Sequence, residues 1–236
     1  MKKEPKISSL IDKAIFDYNL IEPGDKILVG ASGGKDSTLL LEYFLNRKKR
    51  PDCNFCFEVV HIQSDFSPEF PSEISELLKK QQIPFKIIKV NILERVKENE
   101  KMSCYWCATQ RRTELLNYAL KNGFNKIALG HHLDDILETF LMNMLEKGNL
   151  STMIPKMSYK KWNETIIRPL CYVSEKRIIE YIAKNECKSY ICTCKYENNS
   201  ARKTAKKLLE QLTQGDENKK QRIFKALKNV QKEYLL

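Results

Sequence analysis

The chain has 236 residues, 42% of them hydrophobic, with 41 Lys and Arg against 30 Asp and Glu for a formal net charge of +11. That is long and apolar enough to bury a core as one domain with appendages, which excludes disorder throughout; the basic balance favours a polyanionic partner, a lysine-rich background being the plainer account. The start, MKKEPKISSL, lacks the apolar run of a signal peptide and no segment reaches the roughly 20 apolar residues of a bilayer span, so the expected protein is cytoplasmic with no membrane partner.

Ile7, Leu10, Ile11, Ala14, Ile15 and Tyr18 recur at helical spacing and predict an amphipathic first helix, broken by the EPGD of residues 22–25. Short apolar runs then alternate with helical patterns: strands at 27–29, 57–62, 85–90 and 126–129, with helices to about residue 47 and at 73–81, 105–121 and 134–146. That alternation predicts a parallel α/β sheet. Residues 148–170 read as a loop holding one short strand at 165–168, stopped by Pro169. The rest reads as helical and basic, with NNSARK (198–203) starting a helix and QGDENKK (214–220) separating the last two. The expected organisation is an N-terminal helix (1–24), an α/β domain (25–170) and a helical basic region (171–236).

Two stretches carry candidate chemistry. Gly30, Gly33 and Gly34, with Ala31, Ser32 and Ser37, leave only small side chains between a buried strand and a helix beginning near Asp36. Backbone amides there can approach an anion at the positive end of a helix dipole; neither GxxxxGK[ST] nor GxGxxG is present. In a doubly wound sheet ligands gather at the carboxyl ends of strands, where KIALGHHLDDILET (126–139) places Gly130, His131, His132, Asp134 and Asp135. Capping by Asp134 explains part of that cluster.

Eight cysteines without an export signal argue for metal or redox chemistry rather than a disulfide framework. Cys104 and Cys107 open a predicted helix in SCYWCATQRR, both on one face near the positive end, which lowers a thiol pKa and suits ligation or nucleophilic sulfur. Cys53 and Cys56 form a second pair, CNFC, just before a strand. Zinc shared between the two pairs is one reading; ordinary core or surface thiols is the favoured one. Cys171 and Cys187 read as small buried hydrophobes.

The segment SGGKDS, Ser32 to Ser37, resembles the SGGxDS motif of the PP-loop ATP pyrophosphatases. The resemblance implies ATP cleavage between the α- and β-phosphates, with Ser32, Gly33, Gly34, Lys35, Asp36 and Ser37 at the nucleotide and His61 and Ile62 near the adenine, His61 being equally readable as structural. An Asp beside a triphosphate is repelled unless a cation lies between them, so Asp36 is the expected magnesium anchor.

Taken with CYWCATQRR, IALGHHLDD, IIRPLCYVSEKRI and a late cysteine ahead of a basic helix, the chain resembles the tRNA 2-thiocytidine synthetases and their 2-thiouridine relatives over roughly residues 7–212. The likeness implies a Rossmann-like parallel sheet of the adenine nucleotide alpha hydrolase type, with helices on both faces and helical appendages at either end. It also implies adenylation of a tRNA pyrimidine by ATP and Mg2+, and sulfur insertion using a [4Fe-4S] cluster on three cysteines. Cys104 and Cys107 carry over as ligands; ungapped counting favours Cys194 as the third, with Cys192 left open by the CxC spacing. Asp135 and Arg111 carry over as catalytic residues, Arg112 as the second of the basic pair and Gly130 at the nucleotide. Sulfide or a cysteine desulfurase is the implied sulfur donor and a homodimer the implied oligomer, to which the stripe of the first helix would contribute if it were not used on the chain's own sheet. The lack of flanking zinc modules favours cytidine over uridine.

Arg202, Lys203, Lys206, Lys207, Arg222, Lys225 and Lys228 are the candidate tRNA contacts, a solvated helix face being the alternative. Competing readings keep ATP and tRNA but replace the cluster by a cysteine persulfide, keep only the nucleotide loop as in lysidine synthetases, or make the chain a nucleotide-responsive tRNA-binding or cluster-sensor protein.

Overall fold

The computed structural model of the protein describes residues 5–65, 67–96, 102–159, 164–185 and 200–234. In chain order it contains α1 (Ile7–Tyr18), β1 (Lys26–Gly30), α2 (Lys35–Lys48), β2 (Cys56–Ser64), α3 (Ser72–Lys80), β3 (Phe85–Val90), α4 (Cys104–Asn122), β4 (Lys126–Ala128), α5 (Leu133–Lys147), β5 (Lys156–Ser158), β6 (Thr165–Ile167), α6 (Glu175–Lys184), α7 (Ser200–Thr213) and α8 (Glu217–Ala226).

The strands form one sheet in the order β3-β2-β1-β4-β6-β5. All neighbours pair in parallel except β5 with β6. The central strands carry apolar residues on both faces, as a sheet covered by helices on both sides requires. Ile27 and Val29 of β1 join the core cluster that includes Leu40 and Phe44 of α2 and Ile136 of α5, whereas Leu28 joins the opposite cluster with Leu116 and Ala119 of α4.

The chain winds outward from β1 through β2 to β3, then crosses back to β4 on the other side of β1. The two halves therefore diverge between β1 and β4, and a crevice opens at the carboxyl ends of these strands. The loops leading into α2 and α5 both leave from it.

The expected α/β architecture is present, with two differences. Residues 156–158 form β5, where a loop was expected; three edge residues, two half-buried and one exposed, are too few to show a period of two. The first helix ends before EPGD, at Asn19, whose left-handed backbone (φ 47°) closes it. The apolar stripe of α1 packs Ile11 and Ala14 into the main core, so it is used within the chain rather than left for a second copy. Ala205 and Leu209 of α7 and Phe224 of α8 enter that same core. No helix among the described residues is long and apolar enough to cross a membrane.

Candidate active site

At the end of β1 the chain makes a tight turn whose polar groups are satisfied internally. Ser32 N–H and its hydroxyl donate to Ser37 Oγ (3.2 and 3.1 Å), Ser37 Oγ–H donates to Gly34 O (2.9 Å) and Gly34 N–H to Ser32 Oγ (3.3 Å). Gly33 has φ +84°, a left-handed conformation that a side chain would strain. Gly34 caps α2 without a side-chain bond, so amide donors of the first turn face the crevice. His61 Nδ1–H donates to Ala31 O (2.7 Å), tying the turn to β2. Burial, with the charge of Arg111, keeps this imidazole below its usual pKa.

The second loop presses against the first. A Cβ on Gly130 would lie 3.0 Å from the backbone carbon of Asp36 and 3.1 Å from Ser37 N, so the two backbones meet where only glycine fits. Beyond it His132 caps α5 reciprocally: its N–H donates to Asp135 Oδ2 (3.0 Å) and Asp135 N–H to its Nδ1 (3.4 Å). His132 Nε2 lies 3.7 Å from Asp36 Oδ1 and 3.4 Å from Asp135 Oδ2, between the two carboxylates. Asp134 points away; its carboxylate accepts Glu175 N–H (2.7 Å) and Lys220 Nζ (2.8 Å) and holds α6 and α8. Of the aspartate pair, Asp135 faces the site.

Between the loops is a cavity of about 320 Å³. Ala31, Ser32, Asp36 and Ser37 line it from the first loop, Gly130, His131 and Asp135 from the second, and Val60 and Ile62 from β2. One face of α4 adds Ala108, Arg111, Arg112 and Leu115, and Arg202 enters from α7. Burial raises the pKa of Asp36 and Asp135 adds repulsion, against the opposing pull of His132 and Lys35. Lys35 Nζ donates to Asp36 Oδ2 (3.2 Å), while the buried Oδ1 accepts no hydrogen bond. Burial opposes ionisation of Asp135 too, yet His132, Arg202 and His131 hold its carboxyl below the usual range. His131 is pushed down to about 4 by burial and by Arg168, which burial and Arg112 bring down to about 10. The cavity is thus an anion-attracting wall of guanidiniums facing two carboxylates.

Cys104 and Cys107 sit one helical turn, about 5 Å, before Ala108 and Arg111 on the same face of α4. Both are partly exposed, and Ser103 caps the helix by accepting Trp106 N–H (3.1 Å). Cys56 opens β2 at the opposite, amino edge of the sheet, where its N–H donates to Asp25 O (3.0 Å). The two CxxC pairs are therefore not assembled around a shared zinc, and the described residues contain no cluster of three or more His, Cys, Asp or Glu placed to hold a metal. Cys171 is a buried thiol whose pKa burial raises to about 12. Cys187, Cys192 and Cys194 lie outside the described residues.

Ser32, Asp36, Ser37, Ile62, Arg111, Gly130 and Asp135 all line one cavity. Gly33, Gly34, Lys35 and His61 do not: the glycines shape the turn, His61 supports it, and Lys35 bridges Asp36 and Glu175 (3.2 Å each). Arg202, a candidate tRNA contact, pairs with Asp135 and with Glu138 (3.1 Å) at the cavity. Lys206, on the exposed side of α7, pairs with Glu175 (2.6 Å), and Lys228 lies over the Tyr18 ring (3.7 Å). Sequence reading also missed His132 as a cap and Arg168 as the buried cation acting on His131; the helix-start pattern NNSARK marked the place of Arg202 without its direction.

The PP-loop domain family matches residues 3–212. A tRNA-cytidine(32) 2-sulfurtransferase 1 of Francisella tularensis is 37% identical over 100% of this chain and 90% of its own length. A tRNA-cytidine(32) 2-sulfurtransferase of Alcanivorax borkumensis is 37% identical over 97% and 82%. Among solved structures, the U34-tRNA thiolase NcsA from Methanococcus maripaludis with its [4Fe-4S] cluster superposes with a TM-score of 0.78 at 19% identity, covering 98% of this chain and 80% of that one. An NH3-dependent NAD synthetase from Campylobacter jejuni has a TM-score of 0.51 at 14% identity, over 96% and 87%. The last two likenesses establish the fold.

Proposed function

The chain belongs to the PP-loop domain family, and from that premise we propose that it acts on cytidine 32 of tRNA, with Asp36, Asp135, Arg111 and the CxxC pair of α4 as its working residues. It is an ATP-dependent tRNA thiolase, a tRNA-cytidine 2-sulfurtransferase like its full-length relatives. The observation that carries the residue assignment is the shared face of α4: Arg111 and Arg112 line the nucleotide cavity, and Cys104 and Cys107 extend that face by one turn.

The C2 oxygen of a pyrimidine is a poor leaving group. Attack of that oxygen on the α-phosphorus of ATP releases pyrophosphate and leaves the oxygen adenylated. Attack of sulfide at C2 then breaks the C2–O bond and expels AMP. Amides at the uncapped start of α2 meet the phosphates. The buried Oδ1 of Asp36, which accepts no hydrogen bond and has an ion-pair contact with Lys35 (3.2 Å), fits a hard cation, and magnesium needs only one or two carboxylates when phosphate oxygens complete its shell. Asp36 would hold magnesium there, and the ion would supply positive charge against the departing pyrophosphate. Arg111 contacts AMP or the tRNA backbone, and Asp135 holds the charge balance of the cavity through His132.

Two partly exposed cysteines at a helix N-terminus fit iron ligation in chemistry and placement, with Cys194, or Cys192, as the third thiolate. These thiolates would hold a [4Fe-4S] cluster, which would supply an iron site for sulfur. Sulfide or a cysteine desulfurase supplies that sulfur, and the site of action is the cytoplasm. Anaerobically reconstituted protein incubated with tRNA, Mg2+, ATP and sulfide is expected to yield 2-thiocytidine and one AMP per modified base by nucleoside mass spectrometry. Intact ATP and unmodified tRNA would refute the proposal.

A further inference from the structure

The sequence assigns the basic residues of the C-terminal helices to one class, a surface for nucleic acid, but the fold separates one of them from the rest. Ala205 and Leu209 anchor α7 in the core, and Arg202, three and seven residues before them, lies on that same inward side. Its guanidinium lines the cavity that Ser32 and Asp36 line, pairs with Asp135 and donates from Nε to Glu138 Oε2 (3.1 Å), and still leaves the side chain 43% exposed.

We propose that Arg202 contacts the phosphates of ATP, so that the nucleotide site is completed by the C-terminal helix α7; this rests on the ATP-dependent reading above. The charge balance favours such a group. A triphosphate entering this cavity meets Asp36 and Asp135; Arg111 and Arg112 face it from α4, and Arg202 is the lining cation already held against Asp135. Arg202 neutralises Asp135 while its planar fork matches phosphate oxygens. Glu138, buried on α5, holds the guanidinium at the rim from behind. Because α7 is seated in the core, the cation arrives on a rigid element rather than a loop.

The test is the affinity of the full chain for Mg-ATP, with AMP formation measured alongside. Arg202→Ala and Arg202→Lys are expected to weaken ATP binding about ten- to a hundredfold, the worth of a charge-assisted hydrogen bond, with an unchanged KM for tRNA and unchanged thermal melting of the Lys variant. Lys207→Ala, which removes an exposed cation of the same helix that does not line the cavity, is expected to leave ATP affinity intact. If Lys207→Ala weakens ATP binding as much as Arg202→Ala, the loss reports only the general charge of α7 and the proposal fails. It fails equally if the Arg202 variants bind ATP normally or raise only the KM for tRNA. Wild-type protein that binds ATP but forms no AMP with tRNA and sulfide refutes the thiolase reading instead, and a loss of ATP affinity in the Arg202 variants would still uphold the phosphate contact.

Discussion

Cys53–Cys56 and Cys104–Cys107 share one spacing and opposite positions. The first pair lies at the amino edge of the sheet, where β2 begins beside Asp25 and where Lys126, opening β4, is buried in ion pairs with Asp25 and Glu22 (2.7 Å each). The second opens α4 at the carboxyl edge, in line with the arginines of the cavity. CxxC spacing alone therefore carries no role. In a parallel sheet the carboxyl edge collects helix N-termini and loop amides, and the amino edge collects the packing that holds strands in register.

The comparison is broken most directly at the cysteines. Cys104→Ala or Cys107→Ala is expected to abolish 2-thiocytidine formation, and the double replacement Cys53→Ala with Cys56→Ala to leave it unchanged, read by nucleoside mass spectrometry. Equal losses from both pairs would erase the distinction between edges. Asp36→Asn at the carboxyl edge should lower AMP formation by about a hundredfold, the scale of losing one charge-stabilising group, with normal melting. At the amino edge Lys126→Met should do the converse: it leaves Asp25 buried without its cation, at about 3–5 kcal/mol of stability, with the KM for ATP preserved. Denaturant titration and steady-state kinetics on the two variants check this pair together.

Smaller effects sharpen the picture within the carboxyl edge. Gly130→Ala forces a methyl against the Asp36 backbone and should cost about 1–3 kcal/mol of overpacking, together with weaker ATP binding as the two loops separate. The mildest case is Glu175, opposed by burial but held down to about 2 by Lys206 and Lys35. Its depressed folded-state pKa means that the stabilisation is fully present above the unfolded value of 4.5 and fades as pH falls from there toward 2. Melting temperature against pH should drop through that window in the wild type, and more shallowly in Glu175→Gln.

The parts of the site that were legible from the chain share a property: their partners are close in sequence. Small residues from Ala31 to Ser37 must turn sharply and expose amides whatever surrounds them, and the spacing of Cys104, Cys107 and Arg111 puts all three on one helix face. The inward pairing of Arg202 was not legible because its partners, Asp135 and Glu138, belong to another helix far back in the chain. The same distance hid the structural partners of Asp134, expected as a helix cap, since only the packing of α6 and α8 brings Glu175 and Lys220 to its carboxylate. Three-residue β5 escaped for a different reason, having too few residues to express a period.

By itself, the order of residues determined the alternation of strands and helices, the turn at Ser32–Ser37 and the helix face bearing Cys104, Cys107 and Arg111, because local sterics and side-chain periodicity act over a few neighbours. Only the tertiary structure decided that Gly130 lies against Asp36, that His132 sits between two carboxylates, and that Arg202 turns inward while Cys53 and Cys56 remain at the far edge. Those relations depend on strand order and on where each helix returns to the sheet, which burial of the whole core selects and no short stretch of sequence contains.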